Sequence, residues 1–272
     1  MASKSTGKAR NGAILYRGPS MLDGAPIVVI AVGLNTKSKN SKTGGMLQTY
    51  ILRDDIGPTA AIRQGKDASI CGDCIHRGDG TGKGRTCYVN VGQGVLVVYK
   101  AYKRGVYDDL TLSPQIFNHI RNIGRGRLVR LGTYGDPAAV PCVIWDALTT
   151  ESVGYTGYTH QWRDTRFANL TILKRLCMAS ADTPQDAQLA QENGWRTFRV
   201  AMPSHTPRMA NEAICPASAE AGRKLTCATC VACGGLGRGD TPRRGSIVIQ
   251  AHGGTAVMAN VRKRDQSAAL AA

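Results

Sequence analysis

Apolar residues arrive in short blocks separated by polar, glycine-rich stretches. Pro26 to Leu34 (PIVVIAVGL) and Met46 to Leu52 (MLQTYIL) have the length and β-branched content of strands. Between them lies TKSKNSKTGG, a polar, basic stretch that predicts a long connecting loop. In VLVVYKAYKRG, residues Val95, Val98, Ala101 and Tyr102 recur at helical spacing, which predicts a helix stopped at Gly105; VLVV alone would equally suit a strand. Ser113 before Pro114 predicts an N-cap for a helix through Ile120.

From residue 128 the pattern alternates. Leu128–Thr133, Gly157–His160, Leu176–Ala181 and Trp195–Ala201 read as strands, and 140–148, 169–175 and 184–193 as helices, the last stopped at Gly194. The strand spacing of roughly 19–27 residues is that of a βα unit, and several such units in succession imply a parallel sheet or barrel. The units share no sequence, which excludes a solenoid array. The expected fold is therefore α/β, with a β-rich segment over 13–70 and a cysteine loop plus partial parallel (β/α) barrel over 71–205. A small four-cysteine metal subdomain with a final strand, Ser246–Gln250, comes after it over 206–260. A basic flexible tail (1–12) and an Ala-rich tail (261–272) flank these.

Charge adds a partner class. In 272 residues, 35 Lys and Arg face 19 Asp and Glu, a net +16, which attracts polyanions. The cationic positions cluster: Lys4, Lys8 and Arg10 in the N-terminal stretch; Lys83 and Arg85 in the first cysteine loop; Arg121, Arg125, Arg127 and Arg130 in RNIGRGRLVR; and Arg238, Arg243 and Arg244 after the last cysteines. No helix-turn-helix or RNA-recognition signature accompanies them, so the expectation is sequence-tolerant nucleic-acid or nucleotide contact through Lys83, Arg85, Arg121, Arg125 and Arg127. GTGKGR lacks the spacing and the Ser/Thr of a P-loop. No apolar run nears the roughly 20 residues of a membrane span, and MASKSTGKAR is no secretory signal. The expected location is cytoplasmic, with no membrane partner.

Nine cysteines in such a chain read as metal ligands or core residues rather than disulfides. Cys215, Cys227, Cys230 and Cys233, spaced C-x11-C-x2-C-x2-C, offer four thiolates for a tetrahedral zinc or an iron–sulfur cluster. The tight CxxCxxC and the Cys215-Pro216 pair lean toward iron–sulfur. Cys71, Cys74 and Cys87, spaced C-x2-C-x12-C, leave one coordination position that His76, Asp73 or Cys142 would fill, or that stays open on a cluster. Cys142 and Cys177 sit in apolar settings and read as core thiols.

The order Cys71, Cys74, Cys87-Tyr88, a helix ending KRG, then GTYGDP, GYTHQW and MASAD, resembles the layout of the radical S-adenosylmethionine superfamily, closest to the branch of spore photoproduct lyase-like and phage-encoded proteins. The likeness covers residues 71 to 205. It implies a partial (β/α) barrel, one or two iron–sulfur clusters including a 4Fe–4S, S-adenosylmethionine as cofactor, and the host cytoplasm for a phage-encoded chain. The second cysteine group is similar to that superfamily's auxiliary-cluster extensions. The superfamily spacing is C-x3-C-x2-C, however, and no Gly-Gly-Glu follows the next strand here.

In a βα barrel, reactive groups sit at the C-terminal strand ends. That places Asp136, His160 and Arg163 as catalytic candidates, and Tyr88, Tyr158, Trp162 and Asp182 as cofactor contacts. GYTHQWR, dense in aromatic, His and Arg side chains, suits stacking on a base and holding a phosphate; a strand-to-helix turn with Trp162 in the core is the alternative. Asp136 and Asp182, before Pro137 and Thr183-Pro184, also suit helix caps. Two functions stay open: an iron–sulfur enzyme of the radical type acting on nucleic acid or nucleotides, and a non-catalytic, zinc-stabilised, basic nucleic-acid-binding protein.

Overall fold

The first apolar runs pair with one another. In the computed structural model, which describes residues 10–38, 40–165, 170–204, 208–237 and 245–270, β1 (Gly12–Pro19), β2 (Pro26–Val32) and β3 (Leu47–Arg53) form an antiparallel meander. Ile27 to Ala31 are fully buried on both faces of β2, which explains its unbroken apolar run. Two short helices follow, α1 (Pro58–Arg63) and α2 (Ala68–Cys71), then α3 (Leu96–Lys103), which does stop before Gly105. β4 (Asp108–Asp109) is a short edge partner of β1. The next helix, α4 (Ile116–Gly124), starts later than expected. Ser113 Oγ accepts from Gln115 N–H at 3.1 Å and so serves the turn before it.

The βα rhythm is present. β5 (Leu128–Tyr134), α5 (Cys142–Thr149), β6 (Gly154–Thr156), β7 (Tyr158–Thr159), α6 (Leu170–Leu176), β8 (Met178–Ala181), α7 (Pro184–Glu192) and β9 (Thr197–Ala201) alternate in order. β10 (Glu212–Ile214), α8 (Cys227–Cys230), β11 (Ser246–Gln250) and α9 (Thr255–Leu270) complete the chain. The strands make a mixed six-stranded sheet, β4-β1-β2-β3-β5-β6, and a parallel five-stranded sheet, β10-β11-β9-β8-β7.

Three expectations change. The strands close no barrel, because the chain leaves the first sheet at Thr156 and enters the second at Tyr158. The four-cysteine stretch adds β10 and β11 to the parallel sheet instead of forming a separate layer. Residues 262–270, read as a tail, belong to helix α9.

Gly157 is the pivot between the sheets. A Cβ there would lie 2.7 Å from Cys177 Sγ and 3.3 Å from both Leu131 Cβ and Leu176 O. Only a residue without a side chain lets the backbones approach so closely. Farther along, β3 and β5 slip register between Gln48 and Tyr50. Thr49 Oγ1 stitches the irregularity, donating to Arg130 O and accepting from Gly132 N–H, both at 2.9 Å. Such bulges re-aim the end of a strand, here the Gly135-Asp136 end of β5.

The parallel sheet holds a charge pair in its core. Arg199 on β9 donates Nε to Glu212 Oε1 at 2.7 Å and Nη2 to Oε2 at 2.6 Å, with both side chains fully buried. The pair reaches across the intervening β11 and ties β10 to the sheet. Breaking a buried pair from one side strands the other charge and costs about 3–5 kcal/mol, whereas removing both charges is far milder. Glu212→Gln is therefore expected to lower unfolding free energy by about 3–5 kcal/mol. Arg199→Met combined with Glu212→Leu should lose much less in the same urea titrations. A double variant as unstable as the sum of its singles would contradict this.

Candidate metal centres

The first cysteine loop is built by backbone hydrogen bonds that fold it over itself. Cys71 closes α2, and Gly72 then takes a positive φ of 61°, with the Gln161 amide 2.3 Å from where a Cβ would stand. A side chain there would be strained and blocked. Arg77 fastens the turn, donating to Gly72 O at 2.9 Å and Asp67 Oδ1 at 2.8 Å. After the excursion, Thr86 and Cys87 N–H both donate to His76 O, at 3.2 and 3.1 Å. This returns Cys87 to the turn that carries Cys74. Burial pushes the Cys71 thiol well up, and the nearby charges of Cys74 and Cys87 add to it. Burial also raises Cys87, against the pull of Arg85. Arg85 is thus drawn toward the thiols and Asp67.

Three strand ends face this loop. Asp136, just past β5, donates its N–H to Ile70 O at 2.6 Å. Its carboxylate accepts Ala138 N–H at 2.9 Å and His160 N–H at 2.7 Å. Asp136 therefore caps its own turn and also positions His160, just past β7. Burial raises the Asp136 pKa, opposed by these N–H groups and by His160. Asp182, just past β8, places Oδ1 3.0 Å from His76 Nε2 and 3.6 Å from His160 Nε2. Burial works to raise its pKa, but His160 and His76 outweigh burial and hold it well below the usual carboxylate range. For His160, burial lowers the pKa, while Cys74 and Asp182 raise it further than burial lowers it. Cys74 Sγ is 3.7 Å from His160 Nε2. Among the described residues, His76, His160 and Asp182 form the one set of three ligand atoms all within 4.8 Å of one another. Of these, the sequence pointed to His160 and Asp182 as strand-end residues and to His76 as a spare ligand; nothing in it showed that they meet.

The second group gathers on the far side of β7. Thr226 and Thr229 form a capping box on α8, and Cys227 and Ala228 N–H donate to Lys42 O and Thr43 O, in the loop between β2 and β3. Val231 adopts a left-handed φ of 48° beyond Cys230, a strained conformation for a β-branched residue. Cys233 O accepts from Gly157 N–H at 3.1 Å, and Cys215 N–H donates to Val248 O on β11. Burial pushes Cys233 up to about 12, with Cys215, Cys227 and Cys230 adding and a Tyr158 hydrogen bond opposing. Burial likewise raises Cys215. Arg196 pins the loop, donating to Ala232, Gly234, Gly235 and Gly245 carbonyls at 2.6–3.0 Å. Arg130, from β5, is buried beside this group. Burial lowers its pKa, but Tyr88, Tyr158, Cys227 and Cys233 outweigh burial and raise it. A cavity of about 330 Å³ opens next to the thiols, lined by Lys42, Ser218, Glu220 and His252 among others.

The remaining candidates disperse. Tyr158 rings against Phe198 and Arg130 and belongs to the four-thiol group, not the first loop. Tyr88 is exposed; its hydroxyl accepts from Arg130 at 3.0 Å and its ring stacks on His252. Trp162 is buried with Nε1 donating to Ser180 O, which is the core alternative. Arg163 lies 4.0 Å over the Trp162 ring and pairs with Asp186. Cys142 and Cys177 are buried neighbours in the core. Among the basic residues, Lys83 is exposed. Arg125 is also exposed but pairs with Glu151, Arg121 donates to Asn118, and Arg127 donates to Ile123 O and Leu34 O. Arg121, Arg125 and Arg127 precede β5, at the end opposite Asp136, so they do not border the first loop. Lys4, Lys8, Arg238, Arg243 and Arg244 lie outside the described residues.

Arg196 is the positioning residue that the sequence left unmarked, because an Arg flanking a strand reads as surface. Arg196→Met leaves four carbonyls, that of Gly235 buried, short of a charged donor and is expected to cost about 1–3 kcal/mol. If the Cys215/Cys227/Cys230/Cys233 group holds a metal, its content should fall in this variant as in Cys227→Ser, while any metal dependent on Cys71 and Cys87 stays unchanged; metal analysis of both variants checks this. Searches of protein families, curated proteins and solved structures find no match to this chain.

Proposed function

We propose that this chain is an iron–sulfur enzyme of the radical S-adenosylmethionine type acting on a nucleic acid or nucleotide. Its reaction centre is where the first cysteine loop meets the ends of β5, β7 and β8. The ends of β5 in one sheet and of β7 and β8 in the other serve as its scaffold. The observation that carries this reading is placement: Cys71, Cys74 and Cys87 come together over Asp136, His160 and Asp182, at strand ends where parallel α/β sheets keep their chemistry.

Cys71, Cys74 and Cys87 would hold a cluster with one open position, and Cys215, Cys227, Cys230 and Cys233 a second. Such clusters supply one-electron chemistry. The chain's own residues do the rest. Asp136 fixes His160 through its backbone N–H, and His160 holds a proton beside Cys74, with the ionised Asp182 facing it. Arg130 places a buried positive charge against Cys227 and Cys233, which suits a group whose thiolates carry net negative charge. The net charge of +16 and the exposed Lys83 support an anionic substrate. Lys42, whose ammonium also donates to His252 Nε2 at 2.7 Å, offers a donor for its phosphate in the neighbouring cavity.

Protein purified without oxygen is expected to be brown, with iron and sulfide. Cys71→Ser and Cys227→Ser should each remove part of the iron, and S-adenosylmethionine should bind the parent but not Cys71→Ser. Colourless protein carrying only zinc would overturn the cluster reading. It would favour the zinc-stabilised binder, which the charge supports on its own. In a separate titration, single-stranded nucleic acid should bind with an affinity that falls as salt rises, log K against log salt having a slope of about −0.7 per phosphate contact. No binding at low salt would remove nucleic acid as partner.

A further inference from the structure

Asp182 Oδ1 is buried, yet among the described residues it has no hydrogen-bond partner of acceptable geometry. It nonetheless sits 3.0 Å from His76 Nε2 and 3.6 Å from His160 Nε2. Three electron-pair donors thus converge without any N–H aligned on the oxygen. A buried carboxylate oxygen left this way is costly. A cation in their midst resolves it. Ligands about 2.0–2.2 Å from zinc stand about 3–3.6 Å apart, the range of the two distances seen.

We infer that His76, His160 and Asp182 hold a single first-row divalent cation, ferrous iron or zinc, as a two-histidine, one-carboxylate site with its remaining positions open. Such triads leave room for water or substrate and make the ion a Lewis acid. The surroundings are built for it. Thr86 Oγ1 is 2.7 Å from His76 Nδ1, which turns Nε2 toward Asp182. His160 is anchored through its N–H on Asp136, and the two imidazoles meet edge to face with centroids 5.6 Å apart. Side-chain exposures of 14%, 20% and 8% for His76, His160 and Asp182 leave a path from solvent to a sheltered site. This site needs none of the seven cluster cysteines. Cys74, 3.7 Å from His160 Nε2, puts it directly beside the first thiol group.

The test uses the full-length protein, purified without oxygen in the presence of a chelator, with iron and sulfide measured. Co2+ alone is then titrated by equilibrium dialysis. One equivalent should bind in a manner that His76→Gln and Asp182→Asn weaken at least tenfold, while Cys227→Ser leaves that equivalent intact. Thr86→Val, which leaves all three ligand side chains in place but removes the hydroxyl against His76 Nδ1, should weaken it about 10–100-fold and decides the matter where a ligand variant fails to fold. Co2+ binding unchanged in His76→Gln, or in Thr86→Val, would overturn the inference. Triad-dependent binding in protein without iron or sulfide would uphold this site and sink the cluster reading. Clusters without triad-dependent Co2+ would do the reverse.

Discussion

The close approach at Gly157 is the constraint on which the two sheets and both candidate centres depend. Its N–H donates to Cys233 O, and its carbonyl accepts from Met178 N–H at 2.9 Å. One residue therefore fixes the four-thiol loop on one side and the parallel sheet on the other. A methyl group at this point would strike Cys177 Sγ. Because β6 ends at Thr156 and β7 begins at Tyr158, the same residue decides where the chain changes sheets. The residues just downstream inherit that geometry. Tyr158 turns toward Cys233 and Arg130, and two residues later His160 faces Cys74 and Asp182.

The sequence exposed the elements better than the way they assemble. Strand and helix periodicity located β2, β3, β5, β8, β9 and β11, and α3 to α7 among the helices, but not the short α1, α2 and α8. The break at Gly157 was not legible: the pattern predicts a strand over Gly157–His160 and none over Gly154–Thr156, where β6 lies. β10 is three residues long, too short for any period to register. In WRTFRVA the alternation misleads. Arg199 is fully buried and Phe198 only half-buried, because the fold gives Arg199 a carboxylate partner 13 residues downstream. A pattern reading places charge outside, and no local signal announces a buried pair.

The same blindness affected the basic residues. Counting Lys and Arg finds a surplus but not its direction. Arg130 and Arg85 point inward, to thiols, so two members of the apparent polyanion surface are electrostatic parts of the cysteine groups, and Arg196 likewise points inward, to carbonyls. Cysteine spacing was more informative, since a CxxC turn itself brings two sulfurs together. It could not show that His76, two residues past Cys74, would face Asp182 more than 100 positions away. That meeting is a product of topology: β7 and β8 are parallel neighbours, so their C-terminal residues emerge side by side.

The two centres pose one electrostatic problem with two solutions. Each buries groups whose charged forms are costly without compensation. At the four-thiol group the protein supplies a fixed cation, Arg130, whose guanidinium stays charged among tyrosines and thiols. Burial still pushes Cys233 up to about 12, so one buried cation does not bring that thiol to its ionised form. At the strand ends the order is reversed. Asp182 stays ionised, the histidines are its only close counter-charges among the described residues, and its Oδ1 is left without an aligned donor. One site thus has too little positive charge for its sulfurs, and the other an anionic oxygen with imidazoles at ligand distance. A bound cation relieves both deficits, because it ionises thiols and takes up a free carboxylate lone pair at the same time. The neighbourhood of Cys74 and His160, where the two kinds of ligand come within 3.7 Å, is where those demands meet.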